Sequence, residues 1–366
     1  MSPAKKVSVH DIARLARVSI GTVDRALHGR KEIKFETRQR ILHIAGELGY
    51  KPNLAARWLA EGCTPLRVGV CIPREIHFFY DEVRRGMMEE ACRFESVGVS
   101  ILHRPAARLG AGEVERVREL LDSDIRALIL TPGDPEGLSP VIDEAEKRGI
   151  PVLCVCSDAP KSRRSTVICV EPELNGCCAA ELMAKFVPPN SEVAVVTGML
   201  QVEDHRQKAR GFCQAFPRFC LGGKVVEVIE NHEDAEEARR NCVSLLDRYP
   251  SLGGLYVSTV NCLSVCAALD GAGRSGQVRL ITTDLFPEMA PFIRNGTIFA
   301  SVHQRPYRQG QMAVRVAVDR VVNGVPILPS YYLNPQIVLQ SNLTLFGEIS
   351  PAKQAERAEV PDSSVS

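Results

Sequence analysis

At 366 residues, 45% of them apolar, the chain is long enough for a large core and for two or three domains. No run of 18 apolar residues is present, which excludes a membrane-spanning helix, and the basic start MSPAKK leads into no apolar signal-like stretch, so a cytoplasmic protein is expected. The net charge of +1 hides an asymmetry: residues 1–62 carry 12 Lys and Arg against 6 Asp and Glu, while the rest carries 33 against 38, a basic head suited to a phosphate backbone.

The head predicts short helices. Val9, Ile12, Ala13 and Ala16 form one apolar stripe, and Val23, Ala26 and Leu27 form another at i, i+3 and i+4. Between them Arg17–Ser19 makes a tight turn, with Ser19 at the N-cap position of the second helix. Ile20, Gly21, Thr22, Asp24 and Arg25 then share that helix's exposed face. This is a helix-turn-helix pattern, in which the second helix enters the major groove; two helices alone would equally describe a plain hairpin. A third helix is expected over 37–48, with Ile41, Ile44, Ala45 and Leu48 inward, ended by Gly49 and Pro52. Asn53 caps a further short helix, LAARWLA (54–60), which is too short to stand alone and needs DNA, a twin helix from a second subunit, or both. Residues 61–65 read as a linker.

From Arg67 onward, short β-branched runs alternate with amphipathic stretches. Strands are predicted at 67–72, 99–103, 127–131, 151–156, 165–170, 192–197, 224–229, 254–258 and 278–283, with helices between, among them 80–95, 111–122 and 137–148. Such alternation means parallel sheets with right-handed crossovers. Nearly 280 residues exceed one ordinary sheet, so the fold class is a small all-α helix-turn-helix head plus an α/β body of two doubly wound parallel-sheet subdomains. The boundaries read from the sequence are a first subdomain at 66–160 and 288–327, a second at 161–287 and 328–346, and crossings near 158–164, 285–291 and 325–331. Ligand is expected at the strand carboxyl ends, and a disordered tail over 347–366.

Residues 7–60, through VSVHDIARLARVSIGTVDRALHGR and ETRQRILHIAGELGYKPNLAARWLA, resemble the DNA-binding head of the lactose-repressor (LacI/GalR) family without gaps, and 66–346 is similar to the periplasmic sugar-binding fold that this family carries. Three residues depart from the family pattern. Arg17 replaces a usual Gly in the turn, at a cost of about 1 kcal/mol if it is left-handed. Asp24 replaces a usual Ser, and Lys34 takes the N-cap of the third helix.

The resemblance implies DNA contacts from Ser19, Ile20, Gly21, Thr22, Arg25, His28, Asn53, Ala56 and Leu59. Arg25 is the side chain suited to bidentate contact with guanine, the alternative being a phosphate clamp. Leu59 matches a wedge that unstacks a base step in the minor groove. For an effector, the resemblance implies Phe78 and Phe79 after the first strand and Asp158 after the fourth. It adds Arg206 in DHRQKARGF, Asp284 after LITT and Gln304 after IFASVH, with Thr259 or Asn261 completing the set. Rings to stack and fixed hydrogen-bonding groups suit a hydroxyl-rich ligand such as a sugar.

Enzyme readings find little support. Gly271–Gly276 fits G-x-G-x-x-G, but it follows a helix and precedes a strand, the reverse of the dinucleotide context. No G-x-S-x-G, H-E-x-x-H or P-loop is present. The 13 cysteines form no C-x-x-C and no zinc spacing with histidine, so no metal or cofactor is expected. The expected protein is a homodimeric regulator of double-stranded DNA, repressor more than activator, acting at a pseudo-palindromic operator under control of a small effector. The competing reading is a DNA-binding regulator with a degenerate pocket, controlled by a partner protein.

Overall fold

The computed structural model describes residues 9–27, 33–48, 65–95 and 98–346. It divides into two units, 1–64 and 65–366.

In the head, α1 (Val9–Ala16), α2 (Ile20–Leu27) and α3 (Phe35–Glu47) enclose a core of Ile12, Ala13, Ala16, Val23, Ala26, Ile41 and Ala45. Val18, Ile33, Ile44 and Leu48 pack around it. Local geometry sets the turn between α1 and α2. Helix α1 ends with Val18 N–H donating to Ala13 O (3.1 Å) and Arg17 N–H to Arg14 O (3.3 Å), the Schellman pattern. Arg17 occupies its left-handed position, φ 52°, where Gly is the unstrained residue. Lys34 sits at the N-cap of α3 and makes no side-chain cap bond. The side chains of Val9, Asp24 and Leu27 lie outside the described residues, as do His28, Asn53, Ala56 and Leu59, the expected 54–60 helix, the 61–64 part of the linker and the tail over 347–366.

The body contains two six-stranded sheets. The first has spatial order β2 (Ser100–His103), β1 (Arg67–Cys71), β3 (Ala127–Leu130), β4 (Val152–Val155), β5 (Thr166–Val170), β11 (Ser330–Leu333), all parallel. The second repeats the arrangement: β7 (Lys224–Glu230), β6 (Glu192–Thr197), β8 (Gly254–Val257), β9 (Arg279–Thr283), β10 (Ile298–His303), then β12 (Gln336–Val338), which is antiparallel to β10. The inner strands are buried along their length, as helices on both faces require.

Each sheet carries a tightly crossed helix pair. On the first, α4 (His77–Arg93) meets α12 (Pro306–Val321) at Gly86 and Gly310; on the second, α7 (Pro172–Phe186) meets α8 (Glu203–Phe219) at Gly176 and Gly211. A Cβ at any of the four would collide with the backbone of the opposite helix. The other body helices are α5 (Glu113–Leu121), α6 (Pro135–Lys147), α9 (Ala235–Arg248), α10 (Cys262–Gly271) and the short α11 (Ala290–Arg294).

The subdomain boundaries differ from those read in the sequence. Strand β5 belongs to the first sheet and β10 to the second, so the crossings fall at Glu171, at Gln304–Arg305 and at 334–335 rather than near 158–164, 285–291 and 325–331. The long link 156–165 looks like a domain connection because it has no helix. It is instead a helix-free crossover pinned to helix α6, which packs on the first sheet: Arg163 N–H donates to Asp143 Oδ1 (2.7 Å), and Ser165 Oγ to Glu146 Oε1 (2.6 Å).

Substitution Gly176→Val should lower the stability of the body by about 1–3 kcal/mol or more, because the collision is with backbone. Gly271→Ala, where nothing lies within 4 Å, should change it by no more than about 0.5 kcal/mol. Denaturant unfolding of the full chain checks both.

Candidate functional site

The head presents one face of α2. Ser19 Oγ accepts from Thr22 N–H (3.2 Å) and lies 2.8 Å from Thr22 Oγ1, which fixes the helix start. Beyond that cap, Ile20, Gly21 and Arg25 are exposed and Thr22 is half-buried. Ile20 is 45% exposed, a large apolar side chain left outside a core that could have used it. A face of this composition can reach base edges through Arg25 and a thymine methyl through Ile20.

The body's site lies between its sheets, at the carboxyl ends of the strands of both. The first sheet contributes Ile76, Phe79 and Tyr80 after β1, Leu109 after β2, and Cys156 and Ser157 after β4. The second contributes Val202, Asp204, His205 and Lys208 at the start of α8, Glu233 after β7, Ser258, Thr259 and Val260 after β8, Asp284 after β9, and Gln304 after β10. Asp204 N–H points across the cleft at Ser157 Oγ, 3.5 Å away. The space within this lining is about 40 Å³, room for one or two waters; a dry cavity that takes benzene measures about 150 Å³. At this point the lining side chains fill most of the space between the strand ends.

Those side chains are charged. Lys208 and Asp204, one helical turn apart and both buried, pair at 2.5 Å. His205 Nδ1 accepts from Met199 N–H (3.0 Å), so the ring proton sits on Nε2, which faces Glu233 Oε1 at 3.5 Å. Glu233 Oε2 accepts from Thr259 Oγ1 at 2.6 Å. Asp284, held in a left-handed conformation (φ 71°), accepts from Gln304 Nε2 at 2.9 Å, and Gln309 Nε2 in turn donates to Gln304 O at 2.8 Å. Burial pushes the Asp284 carboxyl up to about 6; the nearby charge of Lys208 and the Gln304 hydrogen bond oppose the rise, and Asp204 and Glu233 add to it.

Two family descriptions match the two units. Residues 8–53 match the family described as bacterial regulatory proteins, lacI family, and 68–324 the periplasmic binding protein domain. The chain belongs to the LacI/GalR family of DNA-binding transcriptional regulators. Among its relatives, catabolite control protein A of Priestia megaterium is 25% identical over 254 residues, covering 69% of this chain and 74% of the relative. The D-ribose/D-allose-binding protein of Pseudomonas aeruginosa is 23% identical over 253 residues, 67% of this chain and 78% of that one. A solute-binding protein of Burkholderia graminis, solved with D-arabinose, superposes with a TM-score of 0.70 at 25% identity, covering 76% of this chain and 96% of that structure.

In this LacI/GalR body, Phe79, Thr259, Asp284 and Gln304 line the cavity as expected from sequence, and four other expected residues do not. Phe78 points to another surface, where its ring stacks on Phe286 at 4.4 Å and 17°. Arg206 is 54% exposed and ion-paired to Glu203, because two residues along a helix turn a side chain away from the face that holds Asp204 and Lys208. Asp158 lies beyond the left-handed Cys156 (φ 67°) and is bound to Arg164 in the 156–165 link. Asn261 stands at the N-cap of α10 and makes no cap bond with its side chain. Sequence reasoning missed Asp204, His205, Lys208 and Glu233. The i, i+1, i+4 spacing of the first three was the available signal; Glu233 had none.

Two outcomes are expected for the unliganded chain. Folded Asp284 keeps its proton up to about pH 6, whereas the unfolded group releases it in the ordinary carboxylate range. The folded state thus binds more protons between about pH 4 and 6, and this group's contribution to stability falls as pH rises through that window. Asp284→Asn removes the fall, so variant stability relative to the parent should rise by about 3 kcal/mol across the window, read by denaturant unfolding at several pH values. Asp158→Ala should cost about 1–3 kcal/mol through the stranded Arg164, with effector affinity unchanged in a binding titration.

Proposed function

We propose that the protein is a cytoplasmic, homodimeric repressor, without catalytic activity of its own. Two copies of α2 read a pseudo-palindromic operator, and a hydroxyl-rich effector, a sugar, binds in the cleft between the two sheets. The observation that carries this reading is the pairing in one chain of an exposed α2 face with a cleft whose lining is drawn from both sheets. A ligand held by Phe79 from one side and by Thr259, Asp284 and Gln304 from the other favours one closure angle over others. Through the segment 61–65 that angle sets whether two heads can engage the operator together. Coupling of this kind amounts to about 1–3 kcal/mol and acts in both directions.

Several relatives point the same way. The names of the ribose/allose-binding protein and of the structure solved with D-arabinose support a sugar, and that of catabolite control protein A supports transcriptional control. One observation favours the competing reading, control by a partner protein with an idle pocket: the cavity of about 40 Å³ is too small for a sugar unless the cleft opens.

Operators selected from random DNA by the full chain, followed by titration, test the DNA half. Arg25→Ala should cost about 1–3 kcal/mol and relax preference at one position in each half-site; a uniform loss on all sequences makes Arg25 a phosphate contact. Melting curves with pentoses, hexoses and polyols test the other half, since a ligand at 100 times its Kd stabilises by about 2.7 kcal/mol. The same ligand should shift operator affinity about 5–150-fold, and Asp284→Ala should abolish that shift while leaving ligand-free operator binding intact. Silence from the whole panel favours control by a partner protein.

A further inference from the structure

Resting on the reading of the cleft as an effector site, the charges inside it narrow the class of effector. Asp204 and Lys208 cancel as a pair. His205 adds no positive charge, because its Nδ1 is spent as an acceptor for Met199 N–H and only Nε2 carries a proton. Glu233 is therefore met by neutral donors alone, the His205 ring and the Thr259 hydroxyl. Asp284 likewise has only the Gln304 amide as a hydrogen-bonding donor. Asp204 Oδ1, on a side chain more than nine-tenths buried, has no hydrogen-bond partner at all. Buried carboxylates in this condition are costly until a cation or further donors meet them. Among the described residues no group of three or more His, Cys, Asp or Glu is placed to hold a metal ion, so an organic cation is the fitting partner.

We propose that the effector carries a protonated amine beside its hydroxyls, an amino sugar or amino-polyol, and that its ammonium group is received by Glu233, the buried carboxylate whose partners are both neutral. The space of about 40 Å³ already admits a group of that size, and the rest of the ligand is accommodated as the cleft opens. Neutral sugars have the hydroxyls but leave the Glu233 charge unmet.

The test uses the full chain at pH 7, with melting curves and calorimetric titration against D-glucosamine, D-galactosamine and D-mannosamine. Each is compared with its neutral parent sugar and its N-acetyl derivative. The expected result is that at least one amine binds tenfold or more tightly than its parent, and that N-acetylation removes the advantage. Glu233→Gln should bring amine and parent to within about threefold of each other, with its own melting curve showing that it folds. Equal or tighter binding of a neutral parent overturns the proposal while leaving the sugar-effector reading in place. No binding by any amine or any parent overturns both, and an undiminished amine preference in Glu233→Gln overturns the assignment of the ammonium site.

Discussion

Parallel strands impose the constraint on which the rest of this body depends. Each must be re-entered from the same end, so every carboxyl terminus in a sheet opens on one edge and every crossover leaves from there. Two sheets of the same strand order, set edge to edge, turn those edges into the walls of a cleft. The polar residues that cannot be placed in buried strands collect where the strands stop. Thr259, Asp284 and Gln304 all stand just past the last residue of β8, β9 and β10. The glycine crossings of α4 with α12 and of α7 with α8 serve this arrangement, because they hold each helix pair close on the outer face of its sheet and the start of α4 and of α8 at the cleft.

The cleft thus concentrates charge where desolvation is greatest. A buried ion pair such as Asp204–Lys208 adds little net stability, since desolvating both groups offsets most of their attraction. The carboxylates of Glu233 and Asp284, with amide, hydroxyl and imidazole partners, are less well compensated still. Structural cores avoid such arrangements, whereas binding sites keep them so that a ligand supplies the missing partner. The contrast with Asp158 is instructive: its carboxylate is fully met by Arg164 and by the Ala159 N–H, and it stabilises a link instead of receiving a ligand.

Much of this is legible in the sequence, and the failures have physical causes. The helix-turn-helix and the alternation of strands and helices come from periodicity; the cleft residues Thr259, Asp284 and Gln304 come from the resemblance to the periplasmic sugar-binding fold, and Asp284 also from its position just after a strand. Sequence alone assigns the fifth strand to the wrong sheet, because a helix-free crossover looks the same as a linker until its hydrogen bonds to β4 are seen. The resemblance points to Arg206, although helical phase decides which of two residues, two apart, faces inward, and here it is Lys208. Asp158 and Phe78 are displaced by backbone turns no pattern announces: Cys156 at φ 67° redirects the chain beyond β4, and Ile76 at φ 57° sets the phase at which α4 begins, with Phe79 inside and Phe78 out. Left-handed conformations in non-glycine residues leave no trace in composition.

The same kind of strain recurs in the head, with a different consequence. Among the described residues, seven small or medium apolar side chains form its buried core, and two local defects are set against it. Arg17 in the left-handed position and Lys34 at an N-cap without a side-chain acceptor together withhold on the order of 1–3 kcal/mol that Gly and Ser would have supplied. Both substitutions put a cation where stability favours a small or oxygen-bearing residue. Arg17 stands beside Ser19 at the start of α2, and Lys34 precedes the exposed N-terminus of α3, where orphan N–H groups already favour an anion. A phosphate at either place would be drawn by the side-chain charge and the helix end together. A substitution that weakens the head's own fold can in this way be offset by an anion held at the same place.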